Sequence, residues 1–330
     1  MRSARQVIVD RFGGPDVLKV VDVSIASPRP GQIVVRVEAA GVLYGDITRR
    51  TNRYLTETPL PYAPGTEIAG TVVEIGRDVT APKVGDRVHC RVGSQGYAQY
   101  ALAEAAHAIP LPDAIGFAEA TALLVQGLTA YLLTHDVATL RGKSVFIESA
   151  AGGVGMQVAQ MAKAQGATFV VGSASSEEKR EYARRSGVDL TVSSVETGWS
   201  GQVLDATHGR GVDVAYELSG AAFAELLKCL APFGTLVKLG RGVNEHQSFD
   251  PSHLVGKNLM IRGFYLPGYS DVAHLPLLGE ATRSLIDSVL SGKLKVEVGH
   301  RFPLNQVAIA HRAIEERRTA GKVVLEPWSV

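Results

Sequence analysis

Over roughly the first third of the chain, apolar and β-branched residues fall in short runs, at 6–10, 32–39, 68–75, 87–92 and 97–102, each bounded by Gly, Pro or polar residues. This spacing predicts the strands of one β-rich unit. Pro28, Pro30 and Gly31 lead into the second run, and Lys83-Val84-Gly85-Asp86-Arg87 has the Gly-Asp chemistry of a chain reversal. From residue 112 onward the period becomes helical, through 118–136. The apolar segment 118–134 contains Glu119, Gln126 and Gly127, falls short of a bilayer span, and reads as a buried helix leading into a second domain.

After Lys143 strands and helices alternate. Strands are expected at 144–149, 168–172, 212–217, 235–239 and 258–264, with helices at 153–165, 177–185, 201–208 and 221–230. Such alternation implies right-handed crossovers and a doubly wound, mostly parallel sheet covered on both faces. Beyond Pro267-Gly268 follow a long helix ending near Gly292, a short strand at 297–301, a helix at 305–318 and a last strand at 322–325.

The length of 330 residues fits two domains of about 150 residues each. A hydrophobic share of 45% with 20% charged residues supports sizeable cores and argues against general disorder. Lys and Arg number 34 against 33 Asp and Glu, so a net charge of +1 gives no summed field for nucleic acid or an anionic membrane. Two cysteines, Cys90 and Cys229, exclude a disulfide framework and a four-thiolate metal site, and point to a reducing, cytoplasmic setting. Arg2 and Arg5 precede an apolar stretch broken by Asp10 and Asp16, so no secretory core is expected there.

The stretch from Val145 to Gly155 carries the most chemistry. Ala150, Gly152 and Gly155 have the spacing of a dinucleotide-binding turn, with a hydrophobic strand before it and a helix of small residues, starting at Gly153 and Val154, after it. Free N–H groups and the positive helix end would face a pyrophosphate; Gly152 would admit the phosphates and Gly155 would let helix and strand approach. The alternative is a Gly-rich turn without a ligand. An acidic residue about 20 positions on would hold the ribose of NAD, but the second strand ends in Gly172-Ser173-Ala174-Ser175-Ser176. NADPH is therefore expected over NADH, with Ser173, Ser175, Ser176 and Lys179 at the 2′-phosphate and Arg180 as a substitute cation. The competing reading is a helix-capping serine cluster beside the solvated Glu177 and Glu178.

In order along the chain, Gly41-Val42-Leu43-Tyr44-Gly45-Asp46, Pro64-Gly65-Thr66-Glu67-Ile68-Ala69-Gly70, Gly85-Asp86-Arg87-Val88, Gly127-Leu128-Thr129-Ala130-Tyr131 and Ala150-Ala151-Gly152-Gly153-Val154-Gly155 resemble the motifs of the medium-chain dehydrogenase/reductase superfamily. The C-terminal runs Ser291-Gly292-Lys293-Leu294, His300-Arg301-Phe302-Pro303-Leu304, Ala310-His311-Arg312 and Gly321-Lys322-Val323-Val324 resemble its zinc-independent quinone oxidoreductase branch, whose type is zeta-crystallin. The resemblance implies an α/β protein: a GroES-like β-rich catalytic domain at 1–122, a Rossmann NADPH-binding domain at 123–267, and a return to the catalytic domain at 268–330. It also implies an active site in the cleft and a homodimer paired along a Rossmann sheet edge at 258–264.

Zinc-using relatives place Cys and His where this chain has Leu43 and Thr66, leaving only Glu67 of that ligand set, and neither replacement donates as thiolate or imidazole does. His89-Cys90 reads as a strand residue beside a buried thiol. Without a Lewis acid the acceptor must carry its own electron sink, as quinones, enones and unsaturated thioesters do. Tyr44 is the first choice of hydrogen-bond donor, with ring packing as the competing role; Tyr54 matches a cleft tyrosine of the family, and Tyr62 reads as a structural part of the pocket. Many quinone reductases have Asn at the place of Leu43. Asp46 reads as a structural carboxylate, and Glu67 as orienting backbone or an arginine. The resemblance places Thr129 at the nicotinamide, a Thr bonded to its preceding turn being the alternative, and Gln126 in the same pocket. Leu239, Gly240 and Arg241, then Phe264 and Leu266, follow later strands and would border the adenosine and nicotinamide ends. Lys322 would reach the ribose or stand as a solvated strand lysine. The expected function is NADPH-dependent reduction of quinones or activated double bonds. The alternatives are an enoyl-thioester reductase and an NADPH-binding structural or RNA-binding protein.

Overall fold

The computed structural model describes residues 2–239 and 249–329. They divide into two units, Met1–Val125 with Val296–Val330, and Gln126–Lys295.

Gln32–Val42 is the central strand of the first unit, antiparallel to Glu67–Ile75, Tyr100–Glu104 and Lys322–Glu326. Val298–Pro303, Arg87–Arg91 and Ala108–Pro110 complete a seven-stranded sheet, so the C-terminal segment closes a sheet begun near the N-terminus. Ile33, Val35, Val37, Ile68, Val72, Val88 and Leu325 share its core. Arg2–Val9 pairs instead with Leu18–Ile25, a strand the run analysis did not anticipate because Lys19, Asp22 and Ser24 dilute its apolar residues. The strand expected at 97–102 starts at Tyr100, because the backbone of Tyr97 and Gln99 bonds Pro64, Val7, Arg5 and Val37 in turn.

The apolar segment forms one helix over Phe117–Val137, α-helical at Phe117–Ala122 and Leu128–Leu132 and π-helical at Leu123–Gly127 and Leu133–Val137. At 21 residues and mean hydropathy 1.2 it does reach the length and composition of a membrane span, contrary to expectation, but 78% of its most apolar window is buried. It is a core helix. The division between units falls within it, after Val125 rather than 122.

The second unit has six parallel strands in the order Leu190–Ser193, Phe169–Ala174, Ser144–Ile147, Val212–Glu217, Leu230–Leu239, Met260–Phe264. Counted along the chain this is 3-2-1-4-5-6, the dinucleotide-binding order, with its reversal between Ser144–Ile147 and Val212–Glu217. Leu190–Ser193 escaped the sequence reading because it is four residues long and half polar. Leu230–Leu239 begins five residues early, since Leu230 already pairs with Val212, and this shortens the helix before it to Phe223–Lys228. Phe146 stacks on Trp199 at 4.8 Å in a core with Val171, Leu226 and Leu236. The helix Leu275–Leu290 belongs here too: it buries Ala281 and Leu285, and Tyr131 Oη meets Glu280 at 3.4 Å. The return to the first unit thus comes at Val296, not 268.

Candidate active site

At the reversal, Ser144–Ile147 leads through a tight turn into the helix Gly153–Gln165, whose N-cap Gly152 offers no side-chain cap. The turn is closed by Gly152 N–H to Ser149 O and by Ala150 N–H to Ser173 O, both at 2.9 Å. A Cβ on Gly155 would lie 2.5 Å from Ser149 O and 2.8 Å from Ala150 Cα, so only glycine lets the helix cross the turn this closely. Gly152, Gly153 and Val154 are half-buried, and Ala150 is buried. The uncapped N–H groups and the helix dipole give this end the chemistry that suits an anion. The side-chain amide of Gln126, from the first π-helical segment, lies so close to Gly153 that a Cβ there would clash with its Oε1, an atom buried without a hydrogen-bond partner among the described residues.

At the end of the neighbouring strand Phe169–Ala174, Ser173 Oγ is likewise buried without a partner among the described residues. Ser175 is half-buried, and Ser176 caps the helix Glu177–Arg185 by accepting from Lys179 N–H at 3.3 Å. Arg180 and Arg184 are ion-paired with Glu177, which engages the substitute cation; Lys179 and Arg180 are both half-buried. Leu239 is half-buried at its strand end; Gly240 and Arg241 lie outside the described residues. Phe264, Leu266 and Thr129 are buried.

In the first unit, Leu43 is the N-cap of the helix Tyr44–Arg50, and its N–H donates to Asp46 Oδ2 at 3.0 Å. Tyr44 is 40% exposed. The Arg49 guanidinium lies 3.7 Å from the ring centroid of the half-buried Tyr54. Tyr62 is buried, its hydroxyl has no partner among the described residues, and burial raises its pKa. Asp46 accepts from Tyr97 Oη at 2.8 Å, and that hydroxyl stands 3.4 Å from His311 Nε2. Burial pushes Asp46 up to about 6, against an ordinary 3.8. The folded state therefore holds the proton more tightly. The contribution of Asp46 to stability is complete below about pH 4 and lost as pH rises through about 6. Asp46→Asn keeps an acceptor and does not titrate, so the melting temperature of the unaltered protein is expected to fall relative to this variant between those pH values. A constant difference in calorimetry would show that Asp46 does not titrate there.

Residues 153–278 match the family described as zinc-binding dehydrogenase, and residues 29–113 match the alcohol dehydrogenase GroES-like domain. A quinone oxidoreductase of Pseudomonas aeruginosa is 33% identical over 98% of this chain and 100% of its own length. The chain belongs to the quinone oxidoreductase branch of the medium-chain dehydrogenase/reductase superfamily. It is an oxidoreductase. The Escherichia coli quinone oxidoreductase, solved in complex with NADPH, matches this fold with a TM-score of 0.90 at 29% identity, across 98% of this chain and 100% of that one. The rat synaptic vesicle membrane protein VAT-1 homolog is 31% identical over 98% of this chain and 84% of its own.

In this member of the quinone oxidoreductase branch the zinc-ligand positions do not fit a zinc ion. Leu43 and Thr66 lack thiolate and imidazole, and both oxygens of Glu67 are engaged, one by Lys322 Nζ and one by Val125 N–H at 3.1 Å. Lys322 and Glu67 side chains are both fully buried, and a fixed ammonium opposes a dication at that carboxylate. Lys322 is thus neither a ribose contact nor a solvated strand lysine: its whole side chain is enclosed. Glu67 does orient backbone, as expected, but its cation is a lysine and not an arginine. His89 and Cys90 are buried on one strand, where successive side chains point to opposite faces, so they do not converge on a metal. Burial holds His89 down to about 4 and pushes Cys90 up to about 12. Asp46 and His311 lie in two of the quoted motifs, but nothing in the sequence joins them to each other or to Tyr97, because the three are spread along the chain.

Proposed function

We propose that the protein uses NADPH to reduce quinones or other α,β-unsaturated carbonyl compounds, without a metal. The observation that carries this reading is an uncapped helix end at the glycine turn beside a strand end that offers hydroxyls, one of them buried without a partner among the described residues, in place of a carboxylate. NADPH, when bound, supplies a hydride for an electron-poor carbon. The amides of Gly152, Gly153, Val154 and Gly155, next to Ala150, take the pyrophosphate, and Ser173, Ser175, Ser176 and Lys179 take the 2′-phosphate. Leu239, Phe264 and Leu266 border the dinucleotide, while Thr129 and Gln126 orient its nicotinamide. Tyr44 donates a hydrogen bond to the acceptor oxygen, and Leu43, Tyr54 and Tyr62 shape the pocket. Conjugation spreads the arriving charge onto that oxygen, so one donor takes over part of the work of a Lewis acid.

Two copies are proposed to pair along Met260–Phe264, the edge strand of the six-stranded sheet, where Met260 is 56% and Ile261 37% exposed. Two free, buried thiols suit the cytosol.

The test is steady-state oxidation of NADPH and NADH over a panel of quinones, enones and crotonyl thioesters. The reading expects NADPH to be preferred and quinones or enones to turn over fastest. Faster thioester turnover would instead mark an enoyl-thioester reductase; tight NADPH binding with no turnover would mark a structural or RNA-binding role. Lys179→Ala is expected to reduce the NADPH preference by about ten-fold. An unchanged preference would remove Lys179 from the phosphate site.

A further inference from the structure

The two turns that flank the strand reversal are joined by a carboxylate. Glu148 extends the pairing of its strand, donating its N–H to Tyr216 O at 3.0 Å. The residue is only 3% exposed. It accepts twice from Ser219, N–H to Oε2 at 2.8 Å and hydroxyl to Oε1. Ser219 stands in the turn after Val212–Glu217, just before Gly220 at φ +77°. On its other side, Glu148 is followed by Ser149, held at φ +53°, whose carbonyl receives Gly152 N–H. One side chain therefore ties the first residue of the glycine turn to the turn opposite.

The chemistry suits a carboxylate. Its two oxygens match the two donors of a single serine, whereas an amide would accept one and turn its own NH2 toward the other. The same rung continues with Glu217, the register partner of Lys238, whose ammonium lies 2.6 Å from Glu217 Oε2. Glu217 thus has a cation, while Glu148 forms no ion pair among the described residues and is satisfied by Ser219.

We propose that Glu148 and Ser219 are a positioning pair that holds the two turns at the separation a dinucleotide needs, and so set coenzyme affinity without touching the reacting atoms. The proposal rests on the NADPH reading above and adds residues to it. Fixing both turns before binding removes the ordering cost from the binding step.

The experiment titrates NADPH into the full-length protein by fluorescence, with kcat and KM on one quinone and a melting temperature for each variant. Glu148→Ala is expected to raise the NADPH Kd and KM together by about ten-fold while kcat changes less than about two-fold. Ser219→Ala, which removes the hydroxyl bond and keeps the N–H bond, should move both the same way by less, and the double variant should be no worse than Glu148→Ala, which already removes both bonds. Glu148→Gln keeps one acceptor and should recover part of the affinity. An unchanged Kd in a folded Glu148→Ala protein would overturn the proposal, as would a loss confined to kcat. If Glu148→Ala fails to fold, Ser219→Ala and Glu148→Gln decide in the same way. Failure of the unaltered protein to bind NADPH would instead sink the coenzyme reading itself.

Discussion

Gly155→Ala is expected to weaken NADPH binding by about a hundred-fold or more, read as Kd in a fluorescence titration, because it displaces the helix end from the turn. The added methyl would meet Ser149 O at 2.5 Å, Ala150 Cα at 2.8 Å and Ala150 C at 3.1 Å. All three are backbone atoms, so no rotamer change relieves the clash, and helix and strand must separate. Overpacking of this kind costs about 1–3 kcal/mol of stability. The amides proposed to hold the phosphates move with the helix. Gly152→Ala is the control, since its nearest contact would be Ser149 O at 3.2 Å; the turn should survive and the melting temperature should change little. Binding by Gly155→Ala within about three-fold of the unaltered protein would remove this turn from the coenzyme site.

Lys322→Met should cost about 3–5 kcal/mol, because it strands a buried carboxylate. Among the described residues Glu67 would keep only Val125 N–H as a partner, in surroundings where both side chains of the pair are fully buried. The melting temperature should fall by roughly 10 °C. Adding Glu67→Leu removes the unpaired charge, so the double variant should regain much of that loss. Calorimetry of the two variants checks both steps. A single variant as stable as the unaltered protein would show that the ion pair contributes nothing to the sheet that unites Lys322–Glu326 with Gln32–Val42.

These two sites differ in how far they could be read beforehand. The glycine turn is local: spacing at Ala150, Gly152 and Gly155, a strand before and a helix after all record backbone geometry within a dozen residues, and the structure has the same strand, turn and helix. The serine-rich strand end was also visible, though that Arg180 is bound by Glu177 needed the folded helix. Among the strands, those missed were short or diluted by polar residues, as at Leu190–Ser193 and Leu18–Ile25. Among the candidate site residues, Lys322 was misread for a different reason. Its partner lies 255 residues away, and nothing near either residue announces the other. The bond from Glu148 to Ser219, 71 positions apart, escaped notice in the same way.

The sequence by itself determined the alternation of strand and helix, the glycine turn between Ser144–Ile147 and Gly153–Gln165 and the absence of thiolate and imidazole at positions 43 and 66, because each follows from local period or from the identity of one side chain. Only the tertiary structure decided that Lys322 is sealed against Glu67, that Asp46 shares Tyr97 with His311, that Glu148 ties two turns together, and that the chain returns to its first unit at Val296. Burial and long-range pairing set the free energy of a charge, and neither exists until distant segments meet.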